Sequence, residues 1–325
     1  MNQTECLGSM NQTEILHFVY LFQIIVYVPI FIVGLILNSV VLWVLAFKIR
    51  KLTESTIYMT NLIVADFFLL VTIPFKIYAY MDKVTMNTWG CRFLESLYFV
   101  NIHASILITT AVCVDRYIAI KRIFDTKKLR SQKKAAITCG AIWITVWLAT
   151  LHIYLNSGYD KCDRNVTCFH NVPDKFWNLG IIVPVEVIFL ICTAIVSFCS
   201  LQIIRTLQSS LTESETKLKK KAIKIVLSSL VVFLICFIPH HISVLLFTLN
   251  VNNLMEQYSR EDLGAILQIS LCVANVNCCL DAVYYYFAIK EMQKQNERGE
   301  ESLTVCTKLQ GTIGAAVDCP DIQLN

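Results

Sequence analysis

Long apolar runs, most of them without formal charges, alternate with short polar segments along the chain. Two runs carry one aspartate each, Asp66 within 56–80 and Asp281 within 263–289. Five others contain no Asp, Glu, Lys or Arg, and they cover 15–47, 96–114, 135–159, 187–204 and 225–255. Because a helix needs about 20 apolar residues to cross the hydrocarbon of a bilayer, this pattern predicts seven transmembrane helices.

The composition argues against a soluble protein. Of the 325 residues, 56% are hydrophobic and 16% are charged, whereas soluble domains carry about 25% charged residues. A soluble helical bundle would also need amphipathic helices that turn a polar face toward water. The predicted fold class is therefore an all-α membrane protein, a seven-transmembrane helix bundle.

The positions of lysine and arginine predict the orientation. The first 47 residues contain neither, and most of the 28 in the chain fall within 48–51, 121–134, 205–224 and the C-terminal tail. Because basic loops stay in the cytosol, we expect a multi-pass plasma-membrane protein with its N-terminus outside. The net charge of +4 reflects this orientation and predicts no nucleic-acid partner.

This orientation divides the chain into three parts. Residues 1–17 are expected to form a glycosylated extracellular N-terminus, and residues 18–289 the seven-helix domain. Residues 290–325 are expected to be cytoplasmic, with a short amphipathic helix 8 that begins after Tyr286 and lies along the membrane, followed by a disordered tail.

Three glycosylation sequons lie on the predicted outer side, at Asn2, Asn11 and Asn165. Four cysteines lie there too and predict two disulfides in one of three pairings: Cys6, Cys91, Cys162 and Cys168.

Carboxylates within the spans suggest a function, because each costs about 2.5–3.5 kcal/mol at the centre of a membrane. Asp66 lies in the middle of the second run, and Asn277 precedes Asp281 by four residues and so shares its helix face. Carboxylate and amide oxygens that converge in a bundle predict a hydrated cation site, most simply for sodium. A hydrogen-bonded polar core with one protonated carboxylate is the alternative, and both interpretations stay open here.

The triplet Asp115-Arg116-Tyr117 ends the third run immediately before a basic loop. It resembles the Asp-Arg-Tyr switch of the rhodopsin-like G-protein-coupled receptors. Residues Cys236-Phe237-Ile238-Pro239 resemble the Cys-Trp-x-Pro motif of their sixth helix, with phenylalanine in place of tryptophan. Other marks of the family are Asn38, Asp66 and Trp143. The resemblance covers residues 18–295. It implies a receptor for heterotrimeric G proteins that is not an enzyme, and a disulfide between Cys91 and Cys168.

Other segments are similar to the purinergic and lysophospholipid branch of that family, namely Phe237-x-Pro239-x-His241 and residues 277–281. Within the branch, 52–62 is similar to kynurenate-responsive receptors. Residues 74–76, 95–100, 168–171 and 184–186 are similar to lysophosphatidylinositol-responsive ones. The resemblance implies a small anionic or lipid ligand, and the lysophosphatidylinositol side is favoured.

Polar side chains at the outer ends of the helices are the expected ligand-binding residues. They are Lys76, Glu95, Tyr98, Phe169, His170, Glu186, His240 and His241. A phosphate or carboxylate would form charge-assisted hydrogen bonds with the lysine and the histidines. Of the two adjacent histidines, at most one is expected to face the ligand, and the family pattern favours His241. The alternative interpretation is that Lys76 only extends toward lipid head groups and that the two glutamates pair with Lys76 or His241 in a purely structural role.

The expected signalling switch lies nearer the cytoplasm. It comprises Asp115, Arg116, Tyr117, Phe233, Phe237, Pro239 and Tyr285. An outward swing of the sixth helix about Pro239 is expected to free Arg116 from Asp115, so that a G protein can insert. Arrestin and receptor kinases would act on the tail, and membrane lipids would contact the basic loops.

Three positions depart from the family pattern, because Ala282, Thr193 and Ile123 stand where it has proline. Loss of two of these helix kinks is expected to alter the basal activity or the size of the activating movement. A decoy receptor that binds without signalling is one alternative, and a sodium-coupled transporter is another. The second disulfide is expected to join Cys6 to Cys162.

Overall fold

The computed structural model describes residues 3–49, 53–82, 85–121, 130–156, 165–167, 169, 174–209, 216–255 and 257–286. Its long helices are α1 (Gln3–Trp43), α2 (Glu54–Asp82), α3 (Thr88–Lys121), α4 (Gln132–Asn156), α5 (Leu179–Ser209), α6 (Thr216–Val251) and α7 (Arg260–Asn275). A π-helical turn, Val44–Ile49, follows α1, and a 3₁₀ turn, Asp174–Trp177, precedes α5. The helix after α7 resumes at 277 and is described to 286.

Seven of these helical stretches are long and apolar enough to cross a membrane, the last of them being Arg260–Tyr286. The predicted seven-transmembrane bundle is therefore confirmed. Most of the helices begin before, or end after, the apolar run that predicted them, because charged residues are tolerated where a helix leaves the hydrocarbon. The first helix extends outward to Gln3, well into the segment that we expected to form a separate N-terminus.

Two short strands, β1 (Thr85–Asn87) and β2 (Asn165–Thr167), pair antiparallel with Met86 opposite Val166. The purely α-helical prediction missed this pair, because three residues are too few to display the alternation that marks a strand. The pairing ties the segment before α3 to the loop that carries Phe169. The sequon Asn165 lies in β2, and its glycosylation stays a prediction.

Helix α3 lies at the centre of the bundle and packs against α2, α4 and α5. The remaining helices close a ring in which α5 packs on α6, α6 on α7, and α7 on α1. The buried core includes Tyr27, Leu69, Ile73, Phe233 and Phe237. Large apolar side chains are also exposed along the spans, such as Ile25, Leu155 and Leu190, as a bilayer requires of outer faces.

The chain divides into two compact units, Met1–Ala282 and Val283–Asn325. In the second unit, residues 283–286 are described and are helical, and Tyr285 is among them. The predicted amphipathic helix 8 at 287–293 and the cytoplasmic tail lie outside the described residues. The same is true of Asn2, of Cys162, and of the side chains of Cys6 and Asn11.

Candidate functional site

A cavity opens among the outer parts of the helices. It is lined by every expected ligand-binding residue except His170, which lies outside the described residues: Lys76, Glu95, Tyr98, Phe169, Glu186, His240 and His241. Its volume of about 170 Å³ is similar to the roughly 150 Å³ that accommodates benzene in an engineered cavity. This volume therefore fits an aromatic ring or a head group, and a long acyl chain would have to extend beyond it. Ligand contact by these residues stays a prediction.

Lys76 places a buried ammonium in this cavity. Its side chain is 2% exposed, and its Nζ donates a hydrogen bond to the Tyr27 hydroxyl at 3.2 Å. Aromatic rings surround the nitrogen, with centroids at 4.3 Å for Tyr98, 4.9 Å for Tyr27, 5.7 Å for Phe169 and 5.9 Å for Tyr80. Within the described part of the chain it forms no ion pair with a carboxylate. Lys76 therefore does not simply extend toward lipid head groups.

Phe169 lies in the loop after β2 and covers the ring of aromatic side chains around Lys76. Its backbone lies in the left-handed region, with φ of 64°, which is unusual for a bulky residue. Its N–H donates to Glu95 Oε1 at 3.1 Å, so the carboxylate on α3 holds the strained residue over the cavity. Glu95 thus positions the lid, in addition to lining the cavity.

A histidine cluster, formed by His103 on α3 and by His240 and His241 on α6, faces the cavity beside Glu186 on α5. Nδ1 of His241 lies 3.1 Å from both carboxylate oxygens of Glu186, and its ring stacks on Phe189 with a centroid distance of 3.6 Å. The expected Glu186–His241 pair is therefore present. Both His240 and His241 line the cavity, so the expectation that at most one of them would do so is wrong. His240 is buried at 8% exposure and lies against His241, at a ring distance of 5.5 Å.

The sequence analysis missed His103, which also lines the cavity. It stacks on Phe99 at 3.9 Å, and its Nδ1 donates to the Phe99 carbonyl oxygen at 2.9 Å. A histidine in the middle of a span could have been recognised, but a search for formally charged residues treats it as neutral. Tyr27 and Asn275 were missed as well, because nothing in the sequence distinguishes them from other polar residues in the spans.

The expected cation-binding residues occupy the core of the bundle. Asp66 is 1% exposed, and its Oδ2 has no hydrogen-bond partner in the described structure. Nδ2 of Asn277 donates to Asp281 Oδ2 at 2.5 Å. A buried carboxylate oxygen without a donor is compatible with a cation ligand, and a protonated carboxyl group stays the alternative. Among the described residues, no group of three His, Cys, Asp or Glu side chains is arranged to hold a metal ion, so amide or hydroxyl oxygens would have to complete a sodium site.

Asp115, at the cytoplasmic end of α3, binds a different partner from the one expected. Arg130 donates to both of its oxygens, through Nε at 2.8 Å and a terminal nitrogen at 2.9 Å. The same guanidinium lies 3.6 Å from a Glu54 oxygen. No ion pair joins Asp115 to Arg116 among the described residues. Arg130 occupies both carboxylate oxygens of Asp115 in this structure, so the expectation that Asp115 restrains Arg116 is corrected.

The sixth helix carries the expected aromatic pair, because the rings of Phe233 and Phe237 meet edge to face at 5.2 Å. Pro239 lies within α6, and the Ser243 hydroxyl donates to the Pro239 carbonyl oxygen at 2.7 Å. Tyr117 contacts Phe198 on α5, with a ring distance of 5.9 Å. The switch roles of these residues stay predictions.

The seventh transmembrane helix is interrupted even though Ala282 replaces the usual proline. Helix α7 ends at Asn275, and two backbone hydrogen bonds near Val276 run three residues back, from Val276 N to Val273 O at 3.2 Å and from Cys279 N to Val276 O at 3.0 Å. The four-residue pattern resumes from Leu280 N to Val276 O at 3.3 Å. The break therefore lies six residues before the position that the family pattern suggests.

Cys91 at the outer end of α3 is disulfide-bonded. The expected partner, Cys168, lies outside the described residues, so the Cys91–Cys168 pairing and the Cys6–Cys162 pairing stay predictions.

Comparisons with known proteins agree with this architecture. The family model for the 7 transmembrane receptor (rhodopsin family) matches residues 37–300. Lysophosphatidic acid receptor 6 of Gallus gallus is 32% identical over 81% of this chain and 88% of its own length. G-protein coupled receptor 35 of Mus musculus is 33% identical over 94% and 96% of the two chains. G-protein coupled receptor 55 of Homo sapiens is 32% identical over 89% and 92%.

Proposed function

This chain belongs to the rhodopsin family of seven-transmembrane receptors, and we propose that its ligand is a small molecule or a lipid whose anionic group binds Lys76. The chain is a multi-pass receptor of the plasma membrane that couples ligand binding to a heterotrimeric G protein, and it is not an enzyme. The observation that carries the proposal is the ammonium of Lys76, which is buried among aromatic rings and forms no ion pair with a carboxylate of the described residues.

Physical reasoning supports an anion at this position. A buried charge is unfavourable unless it is paired, and cation–π contacts offset about 0.5–2 kcal/mol each. An ammonium has three N–H donors, and the Tyr27 hydroxyl accepts one of them. A phosphate or carboxylate would accept the remaining donors in charge-assisted hydrogen bonds.

The rest of the cavity supports an amphiphilic or aromatic ligand. Its wall includes Phe99, Ile102, Trp177 and Leu271, which suit a ring or the first part of an acyl chain. The similarity to receptors for lysophosphatidic acid makes a lysophospholipid a natural candidate. The histidine cluster would donate hydrogen bonds to its head group or accept hydrogen bonds from it. A kynurenate-like aromatic acid is the second candidate, since the enclosed volume fits a ring.

The proposed switch uses Arg116, Tyr285, Phe233 and Phe237. Outward movement of the inner end of α6, hinged at Pro239, would admit the G protein beside Arg116. Arrestin and receptor kinases are proposed further partners through the tail. A sodium ion held by Asp66, Asn277 and Asp281 is proposed as an allosteric cofactor, supported by the buried Asp66 oxygen that has no hydrogen-bond partner among the described residues.

The test is G-protein activation in cells exposed to lysophosphatidylinositol, lysophosphatidic acid or kynurenate. We expect a response to one of them in the wild type, and its loss in Arg116→Ala at equal surface expression. Specific binding of a probe without any G-protein response, in wild type and variant alike, would indicate the decoy and contradict the proposal. Lys133→Gln is a matched control, because this exposed cation lies on the same side of the membrane as Arg116.

A further inference from the structure

We infer that Tyr27, Tyr98 and Asn275 form a hydrogen-bonded relay that couples Lys76 to the break in the seventh transmembrane helix. The inference rests on the proposed anion site, since the relay starts at the ammonium that would bind the ligand. It assigns a positioning role to three residues on three helices, α1, α3 and α7. None of them needs to contact the ligand for the relay to act.

The contacts are continuous. Lys76 Nζ donates to the Tyr27 hydroxyl at 3.2 Å, and the two tyrosine hydroxyls lie 3.0 Å apart. Nδ2 of Asn275 donates to the Tyr27 hydroxyl at 3.3 Å and also to the Tyr98 hydroxyl. Each of the four side chains is at most 8% exposed, so water does not compete for these bonds.

The donors and acceptors fix the direction of the relay. An ammonium and an amide NH₂ can only donate, so the Tyr27 oxygen accepts from both Lys76 and Asn275. With both of its lone pairs used, Tyr27 directs its own proton toward Tyr98. The hydrogen bonds in such a series polarise one another, so that a change in the bond at one end alters the strength of the bonds at the other end. When an anion binds the remaining donors of Lys76 and draws the ammonium toward itself, the bond from Lys76 to the Tyr27 hydroxyl weakens, and the bonds to Tyr98 and Asn275 rearrange.

Asn275 stands where this rearrangement would have the largest mechanical effect. It is the last residue of α7, next to the break at Val276. Two residues further on, Asn277 donates to Asp281. Because proline is missing at Ala282, the irregular hydrogen bonding at Val276 is the point about which we infer that this helix bends. The relay therefore joins the ligand cation to the point about which the inner part of the seventh helix can turn.

The test is amide hydrogen–deuterium exchange of residues 273–280 in the purified full chain, reconstituted in lipid nanodiscs without ligand. Tyr27→Phe removes only the hydroxyl, and Asn275→Ala removes the amide. We expect each variant to raise exchange of this segment roughly fivefold, the effect of one net hydrogen bond. The double variant should exchange no faster than either single one, because all of these bonds belong to one chain.

Tyr78→Phe is the matched control, because it deletes one hydroxyl from an exposed ring on α2. It should leave exchange unchanged. Wild-type exchange in both Tyr27→Phe and Asn275→Ala would overturn the relay, and so would an equal rise in the control. Lys76→Met, measured in the same way, should resemble Tyr27→Phe, since it removes the donor at the start of the hydrogen-bonded chain.

A second arm separates the relay from the anion site. Addition of lysophosphatidylinositol to the wild type should change exchange at 273–280, and Tyr27→Phe should abolish that change while retaining binding. If the lipid binds equally well to wild type and Lys76→Gln, the anion site is wrong, whereas the ligand-free comparison still decides the relay. Lipid-induced exchange that persists in Tyr27→Phe would contradict the relay and leave the anion site standing.

Discussion

The pairing of Arg130 with Asp115 predicts that Arg130 keeps Arg116 available for the G protein. In Arg130→Gln, the Asp115 carboxylate loses both of its charged donors while it remains 9% exposed. The neighbouring guanidinium of Arg116 is then the cation closest in sequence, and its recruitment would withdraw it from the G-protein surface. We therefore expect Arg130→Gln to lower basal and stimulated nucleotide exchange.

The magnitude follows from the geometry and exposure of the pair. Hydrogen bonds to charged groups contribute about 1.5–3 kcal/mol, whereas solvent-exposed pairs contribute about 0–1 kcal/mol. With Arg130 21% exposed and Asp115 9% exposed, the coupling should be about 1–2 kcal/mol. That energy corresponds to roughly a 5- to 30-fold change in the population with Arg116 available.

The assay is GTPγS binding by a purified G protein with the receptor in nanodiscs, arranged as a double-mutant cycle. Asp115→Asn removes the charge that Arg130 holds, so Arg130→Gln should have no further effect in that background. Lys133→Gln should leave exchange unchanged. An equal fall caused by Arg130→Gln with and without the Asp115 charge would refute the reasoning, because Arg130 would then act through another contact.

Three other substitutions test the packing and the polar core. Gly34→Val should lower the thermal stability of the purified receptor by about 1–3 kcal/mol, because a Cβ there meets neighbours at 3.0 and 3.2 Å, whereas Gly140→Val, with nothing within 4 Å, should not. Trp143→Phe loses the 2.8 Å bond from the indole N–H to Asn61 and should destabilise by at least about 1 kcal/mol in a melting assay. Asp66→Asn should abolish any rise in melting temperature with added NaCl; a rise that persists would exclude Asp66 as the sodium ligand.

The spans were predictable because the bilayer constrains the sequence strongly. Runs such as 96–114 carry no formal charge and mark the hydrophobic part of a helix, although the helix around it extends from Thr88 to Lys121. The ends are set by backbone hydrogen bonding outside the hydrocarbon, where composition no longer discriminates. The short strands β1 and β2 depend on pairing between distant segments, which no local pattern reveals.

The ligand cavity was largely predictable because ionisable residues in a membrane are rare. Lys76, Glu186 and His241 stood out in sequence and came together in space. Their partners did not stand out: Tyr27 and Asn275 contact Lys76 or its neighbours only through tertiary packing. Sequence adjacency was even misleading at the cytoplasmic end. It suggested Arg116 as the partner of an aspartate that the fold gives to Arg130.

The measurement that tests the central claim most directly is the concentration dependence of G-protein activation by lysophosphatidylinositol, lysophosphatidic acid and kynurenate for wild type, Lys76→Arg and Lys76→Gln. Loss of one charge-assisted contact should shift the effective concentration of the active ligand in Lys76→Gln by about 10- to 150-fold, equivalent to about 1.5–3 kcal/mol. Lys76→Arg, which keeps the charge, should shift it less. Identical curves for Lys76→Gln and wild type, at equal surface expression, would show that the buried ammonium does not bind the ligand and would contradict the account.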